Sequence, residues 1–214
     1  MRITTTGLAV LALGMLSAPA AAQMPTLTVR GGFAFPKGDY DQTTEGADMF
    51  ARVGWTAGAE ARFFVTDNLA LFTSYDRLSN PVDEADFEDN LVGTLDGISV
   101  DSHVAHMTMG GLRMEGELVP DATLALHGGL GLAVFKPGDY AIRDGQAVAW
   151  DSDRHASLAG GLSITLHRVE TMFRFYPFGT FENQGHVTNE DAESETATRS
   201  PVRVMTLTVG YTFF

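Results

Sequence analysis

Apolar and polar residues alternate one by one along most of the chain after residue 24. In the first such stretch one parity is apolar, at Leu27, Val29, Phe33 and Phe35. A period of two places successive side chains on opposite faces of a β-strand, whereas a helix repeats about every 3.6 residues. The pattern therefore predicts a strand with one apolar face.

Seven further stretches alternate in the same way, which gives eight predicted strands. The later ones lie at about 52 to 65, 69 to 78, 102 to 118, 123 to 135, 155 to 166, 170 to 181 and 202 to 214. The connections alternate between short turns (66–68, 119–122, 167–169) and long segments (36–51, 79–101, 136–154, 182–201). Short turns at one end and long loops at the other are typical of outer-membrane barrels, whereas a soluble barrel usually has short connections at both ends.

The acidic residues are concentrated in the long segments. The chain has 27 Asp and Glu against 14 Lys and Arg, and the third long segment alone contains Asp139, Asp144, Asp151 and Asp153. Such a balance excludes nucleic acid as a partner, because that affinity depends on Lys and Arg. Acidic loops could hold Ca²⁺ or Mg²⁺, but no segment has the spacing of a known calcium loop, so a solvated surface without metal is expected. The predicted fold is all-β: an eight-stranded antiparallel up-and-down transmembrane β-barrel with short periplasmic turns and four long acidic outer loops.

The N-terminus has the features of a cleaved signal peptide. Arg2 precedes an apolar run at 7 to 16, and Ala20 to Ala22 form a small-residue cleavage site before Gln23. The run is too short for a spanning helix, which needs about 20 residues. We therefore predict a signal peptide at 1–22, a barrel domain at 23–214 and an outer-membrane location in a Gram-negative cell. The chain contains no cysteine, which excludes disulfides and thiolate sites.

Charged residues also occur on the polar parity of the predicted strands. If the apolar parity faces lipid, nine of them face the barrel interior, namely Arg30, Glu60, Arg62, Asp76, Arg113, Glu115, Glu117, Glu170 and Arg174. The interior of an eight-stranded barrel is just wide enough for side chains to fill, and buried charges need partners. These residues predict a salt-bridged plug. The alternative is a narrow, porin-like channel for small solutes or ions, in which an Arg exchanges carboxylate partners.

Three residues, His155, Ser157 and Glu170, are of the types that a lipid A-modifying barrel enzyme would use. The parity argues against this, because His155 and Ser157 lie on the polar face of their strand, away from lipid. Glu170 lies just past the following turn, at the far end of the barrel, and could not orient a histidine near the loops. His103 and His106 are three residues apart and therefore face opposite ways, which argues against a shared metal. We expect no catalytic residue and no cofactor.

Two arginines, Arg77 and Arg203, fall on the outward parity near the loop ends of their strands. Arginine matches phosphate well, so these residues could contact lipopolysaccharide. Arginines solvated at the base of a loop would give the same pattern, and both interpretations remain open at this point.

Several segments resemble the small outer-membrane β-barrel proteins of the OmpA-like type: residues 61–69, which join two strands, residues 173–178 and the terminal residues 209–214. The resemblance extends over essentially the whole mature chain and implies that Phe214 is the signal read by the barrel-assembly machinery. One departure is that Phe213, not Phe214, shares the parity of Tyr211. No peptidoglycan-binding domain is expected after the eighth strand.

The function indicated is that of a non-enzymatic barrel with a structural or surface-interaction role, in contact with outer-membrane lipid and lipopolysaccharide. The sequence identifies no extracellular partner. A lipid A-modifying enzyme is one lesser alternative. A periplasmic ligand carrier is another, and it would require the apolar face to be inside.

Overall fold

The computed structural model describes residues 25–40, 49–85, 98–142, 145–189 and 192–213. Within these ranges the chain forms one 3₁₀ turn at Gly38–Tyr40 and eleven β-strands. The strands are β1 (Thr26–Pro36), β2 (Gly54–Thr66), β3 (Leu69–Asn80), β4 (Ile98–Val100), β5 (His103–Val119), β6 (Ala122–Lys136), β7 (Tyr140–Ile142), β8 (Ala147–Trp150), β9 (Asp153–Leu166), β10 (Val169–Asn189) and β11 (Ala192–Phe213).

All strand pairs are antiparallel, and the eight longer strands pair in the order β1, β2, β3, β5, β6, β9, β10, β11. Because β11 also pairs with β1, each of these strands has two neighbours, and we call this arrangement the strand ring. The predicted all-β antiparallel fold is confirmed. No helix in the described part of the chain is long and apolar enough to cross a membrane.

The number of strands differs from the prediction, because eleven are described where eight were expected. The short strands β4, β7 and β8 lie in segments that were predicted as long loops. They add to β10 in the order β8, β7, β4, and together with the outer parts of β10 and β11 they form what we call the outer sheet. Strands of three or four residues are too short for an alternation pattern to reveal.

The prediction of a long loop at 182–201 is wrong. β10 and β11 continue as a hairpin as far as the pair Asn189 and Ala192, well beyond the pair Pro36 and Val204 at which β1 stops pairing with β11. This stretch is polar on both faces and shows no apolar alternation, so its sequence is typical of a loop. Its strands are stabilised by the ladder between them and by the pairing of β10 with β8.

β10 contains a bulge at the point where the strand ring gives way to this hairpin. The register shifts between Pro177 and Gly179, and Gly179 has a φ of 94°, which is accessible mainly to glycine. Tyr176 is buried before the bulge, Phe178 is buried within it, and Phe181 rather than Thr180 is buried after it. The extra residue therefore keeps the aromatic side chains on the inward face.

The outward face of every long strand carries exposed apolar side chains, including Leu126, Leu130, Leu158 and Val209. The inward positions are buried in two layers. Nearer the short turns they are mainly charged or polar, and nearer the long connections they are mainly apolar and aromatic. A continuous exposed apolar belt of this kind is typical of a lipid-facing surface.

Candidate functional site

The inward positions of β1, β2, β3, β5 and β10 bring charged side chains together inside the strand ring. Arg30 is paired in register with Gly58, which in turn is paired with Asp76. A Cβ at Gly58 would lie 2.1 Å from Asp76 Oδ1. The glycine on the intervening strand therefore leaves the space in which Arg30 and Asp76 meet.

Asp76 is one centre of the resulting network. Its Oδ1 accepts hydrogen bonds from Arg30 Nε and Nη2 at 3.0 and 2.7 Å. Its Oδ2 accepts from Arg174 Nη1 at 3.0 Å and from the Tyr176 hydroxyl at 2.8 Å. Both carboxylate oxygens of this buried residue are thus compensated by cations and a hydroxyl.

Glu60 is the second centre, and four arginines surround it. Its carboxylate contacts Arg30 Nη1 at 3.1 Å, Arg62 Nε at 2.8 Å, Arg174 Nη2 at 2.6 Å and Arg113 Nη1 at 3.6 Å. The residue is 1% exposed. Removal of its negative charge would leave four buried guanidinium groups with fewer partners.

The third centre lies nearer the turns and involves Glu170 and Glu115. Glu170 pairs with Arg62 and, at 2.7 Å, with Arg113 Nη1. Glu115 contacts Arg113 Nε at 2.5 Å and Arg62 Nη1 at 3.9 Å. Both arginines also contact Glu60, so the three centres form one connected set, which we call the ion-pair network.

Eight of the nine charged residues predicted to face inward belong to the ion-pair network. They are Arg30, Glu60, Arg62, Asp76, Arg113, Glu115, Glu170 and Arg174, and their four positive and four negative formal charges balance. Glu117 does not belong, because it is exposed at the turn end of β5 and forms no ion pair with any described residue. Balance matters because an uncompensated buried charge is strongly destabilising.

Sequence reasoning missed several neutral members of the network. His127 Nε2 accepts a hydrogen bond from Arg174 Nε at 3.0 Å, so this ring nitrogen carries no proton. Ser74 Oγ lies 3.2 Å from Arg174 Nη1, and Thr28 Oγ1 accepts from Arg62 at 3.0 Å. Each of these residues lies on the inward parity of its strand, so parity would have identified it. The predicted interior set contained only charged residues and therefore lacked these neutral ones.

The ion pairs join opposite walls of the strand ring. β3 and β10 are four places apart in the ring of eight strands, and Arg174 on β10 contacts Asp76 on β3. Arg62 on β2 and Arg113 on β5 both reach Glu170 on β10, three places away. Side chains from facing walls therefore meet across the interior and fill it at this level.

The half of the interior nearer the long connections is filled by aromatic and aliphatic side chains. We call this set of side chains the apolar layer. Tyr176 and Phe178 stack at 5.2 Å between ring centroids, and Phe181 lies 5.2 Å from Phe135. Tyr40, from the 3₁₀ turn, packs edge-on against Phe135, and its burial raises the pKa of its hydroxyl well above the ordinary value. At this level both faces of the strands are apolar, so the expectation that apolar side chains face only lipid is wrong here.

His103 connects two long segments at the loop end of β5. Its Nδ1 accepts a hydrogen bond from the Gly138 N–H at 2.8 Å, so the proton is on Nε2, which donates to the Met49 carbonyl at 2.7 Å. The ring is buried against Tyr40 and Phe135. Burial lowers the pKa of His103 to about 4, so the histidine is neutral at pH 7.

The residues considered for lipid chemistry do not meet in the structure. His155 contacts Asp153 at 3.0 Å, and the Ser157 hydroxyl donates to the Leu158 carbonyl at 3.2 Å. Glu170 belongs to the ion-pair network. Among the residues described, no three His, Asp or Glu side chains are grouped so that they could hold a metal ion.

Arg77 and Arg203 are exposed on outward positions of β3 and β11. β1 and β2 lie between these strands, so the two arginines are about three strand spacings, or roughly 14 Å, apart and cannot bind one phosphate together. Phe214 and the predicted signal peptide at 1–22 lie outside the described residues.

Comparison with known proteins gives a likeness of fold without a likeness of sequence. No protein-family model matches the chain, and no curated protein matches it. Among solved structures, Neisserial surface protein A is 13% identical, with a TM-score of 0.52 over 90% of this chain and 97% of the other. OprG from Pseudomonas aeruginosa is 14% identical, with a TM-score of 0.51 over 88% and 95%.

A major outer membrane protein from Thermus thermophilus is 11% identical, with a TM-score of 0.53 over 89% of this chain and 100% of the other. At such identities the likeness establishes the fold alone. The structural neighbours of this chain are outer-membrane β-barrel proteins, with no particular family among them established.

Proposed function

We propose that the chain is a non-enzymatic outer-membrane barrel protein with a structural and surface-interaction role, whose interior is sealed. The observation that carries the proposal is the ion-pair network, in which side chains from opposite walls meet inside the strand ring. Nearer the long connections, the apolar layer fills the interior at a second level. A solute would have to displace both layers.

The eight long strands are the proposed transmembrane strands. Each has eleven residues or more, and a tilted strand needs about 9 to 11 to cross a bilayer. His103 is the first residue of β5 and is hydrogen-bonded to Met49 and Gly138 of the long connections, so it lies beyond the proposed membrane-spanning part. The outward apolar side chains would contact lipid. This assignment places the short turns in the periplasm and the long connections outside.

The outer sheet forms the proposed interaction surface, and the acidic composition of the long segments is expected to make it negatively charged. The hairpin of β10 and β11 extends beyond the other strands and carries charged side chains, such as Glu182 and Arg199, which pair at 3.1 Å on its exposed surface. We further propose outer-membrane lipid and lipopolysaccharide as partners of the belt. Phe214 is the proposed signal for the barrel-assembly machinery during insertion.

The test is conductance of the full mature chain reconstituted into planar bilayers. A sealed interior is expected to give no discrete current steps at neutral pH, although the same preparation shows a gel shift between boiled and unboiled samples that reports a folded barrel. Reproducible steps from folded protein would contradict the proposal. Recovery of the protein in a soluble periplasmic fraction would contradict the location.

A narrow channel is the second candidate, and one observation favours it. Glu60 is shared by four arginines, so a small movement could exchange its partners without leaving it unpaired. If the protein is a channel, Glu60→Gln is expected to change the frequency of current steps in planar bilayers. A ligand carrier would need interior space, whereas the inward positions here are occupied by packed side chains.

A further inference from the structure

The outward arginine Arg77 differs from the inward arginines in its partners. Every arginine of the ion-pair network contacts at least two carboxylates. Arg77 forms no ion pair with any residue in the described ranges. Within those ranges no carboxylate neutralises its guanidinium, which leaves the charge available to an external anion.

The side chains around Arg77 form a defined surface. Its guanidinium lies 5.5 Å from the centroid of the Trp55 ring, a cation–π distance. His106 is directly opposite Arg77 in the register of β3 and β5. The His106 ring stacks on Tyr75 at 5.9 Å, and its Nδ1 lies 2.6 Å from the Tyr75 hydroxyl.

His106 has a second nitrogen that could bind the same anion. When the Tyr75 hydroxyl donates to Nδ1, the ring proton is on Nε2. Nε2 has no hydrogen-bond partner among the described residues. Arg77 and His106 thus offer a planar guanidinium fork and an imidazole N–H from adjacent strands.

The position along the strand matches the outer edge of the lipid belt. Arg77 is eight residues beyond Leu69, the first residue of β3. At about 3.4 Å per residue and a tilt of about 40°, this places it roughly 20 Å above the turn, within an apolar band about 25 Å tall. Trp55 and Tyr75, which are 46% and 45% exposed, are residues typical of a membrane interface.

We infer that Arg77 and His106, flanked by Trp55 and Tyr75, bind a phosphate of lipopolysaccharide in the outer leaflet. The inference rests on the proposed function, because the loop end must face outward. Arginine binds phosphate through two parallel hydrogen bonds, and the ring of Trp55 holds the guanidinium in place. The occupant is a phosphorylated glycolipid because that lipid class supplies the anions of the outer leaflet.

The experiment uses the folded full mature chain in detergent micelles and measures binding of rough lipopolysaccharide by native mass spectrometry. Arg77→Gln is expected to weaken binding about tenfold, as does enzymatic removal of the lipid phosphates, because a charge-assisted bidentate contact is lost. Arg168→Gln removes the same charge from an exposed short turn at the opposite end of the strand ring and is the matched control, with unchanged binding expected. Arg77→Lys is expected to restore only part of the affinity.

Three results would overturn the inference: equal binding by Arg77→Gln and the wild type, equal binding of dephosphorylated lipid, or phosphatidylglycerol binding that is as tight as that of lipopolysaccharide and equally sensitive to Arg77. Failure of the proposed function is distinguishable, because it would appear as current steps from the folded wild type or as recovery of the wild type in a soluble periplasmic fraction, whatever the result of lipopolysaccharide binding. The same gel shift in Arg77→Gln shows that the variant is folded.

Discussion

The two halves of the interior of the strand ring are filled by different chemistry. In the half near the turns, eight charged side chains form the ion-pair network, with Glu60 in contact with four arginines. In the half near the long connections, Tyr40, Phe135, Phe178 and Phe181 pack in the apolar layer. Both fill space, but only the first depends on every partner being present.

The difference lies in how each half responds to the loss of one group. An ion-pair network is directional, so one missing carboxylate leaves charges that cannot move to water. An apolar layer is held by contacts that are individually weak and not directional, so its neighbours can relax in part into a space. Four substitutions or titrations test this contrast.

The largest effect is expected for Glu60→Gln. The amide is similar in size but removes the charge that four arginines share, and loss of one partner of a buried pair costs about 3 to 5 kcal/mol. Urea unfolding in lipid vesicles, followed by the gel shift, measures the change. Glu117→Gln is the control, because Glu117 is exposed, and equal losses for the two variants would contradict a special role of Glu60.

A loss of about 3 to 4 kcal/mol is expected for Phe181→Ala in the apolar layer, near the low end of the range for buried phenylalanine because the layer can relax. Phe181 is fully buried and touches Phe135 and His155. Urea unfolding in lipid vesicles, followed by the gel shift, measures this loss of stability. Phe175→Ala, at an exposed outward position that the proposed function places against lipid, is expected to cost clearly less, since lipid would fill the space. A loss as large as that of Phe181→Ala would show that the layer is not a separate unit.

His103 makes the apolar end of the molecule sensitive to acid. Its folded pKa of about 4 lies below the unfolded value, so the unfolded state takes up a proton first as the pH falls. Stability from this residue is therefore complete above about pH 6.5 and is lost between about pH 6.5 and 4, by about 3 kcal/mol at most. His103→Gln should remove this part of the pH dependence in a stability titration, and an unchanged profile would contradict it.

The smallest effect is expected for Gly58→Ala. The new Cβ would lie 2.1 Å from Asp76 Oδ1 and 2.5 Å from the Tyr75 carbonyl, so β2 and the carboxylate must shift. Such overpacking costs about 1 to 3 kcal/mol. Gly116→Ala is the matched control, because nothing lies within 4 Å of a Cβ there. Thermal unfolding compares the two, and equal midpoints would show that Gly58 is not needed to make space for the network.

Sequence reasoning worked best where the outward face of a strand is apolar and the inward face is charged. The bounds predicted for the third and sixth strands of the structure, 69–78 and 123–135, differ by at most two residues from β3 and β6. The inward parity of Asp76 and Arg113 followed from the apolar residues beside them. A period of two fixes orientation without any knowledge of which strands are neighbours.

Sequence reasoning failed where a strand shows no alternation of apolar and polar residues, or where both of its faces carry side chains of the same polarity. Residues 182–201 are polar throughout, so the hairpin had no apolar pattern, and its strands depend on pairing that a single segment does not reveal. In the apolar layer, Phe135 faces inward and Leu132 outward, yet both are apolar. The partners within the ion-pair network depend on the order of strands around the ring and were not predictable from parity.

The hairpin of β10 and β11 has a mechanical consequence. It continues about ten residues beyond the bulge at Gly179, so its end is roughly 25 Å farther out than the bulge at 3.4 Å per residue and the tilt of a barrel strand. A partner that pulls on this end would load β10 and β11 along their length. Inside the strand ring the hydrogen bonds to β9 and β1 run across that direction, so they would be sheared together rather than opened one at a time. The hairpin is thus attached to strands whose hydrogen bonds to the wall would be loaded in shear.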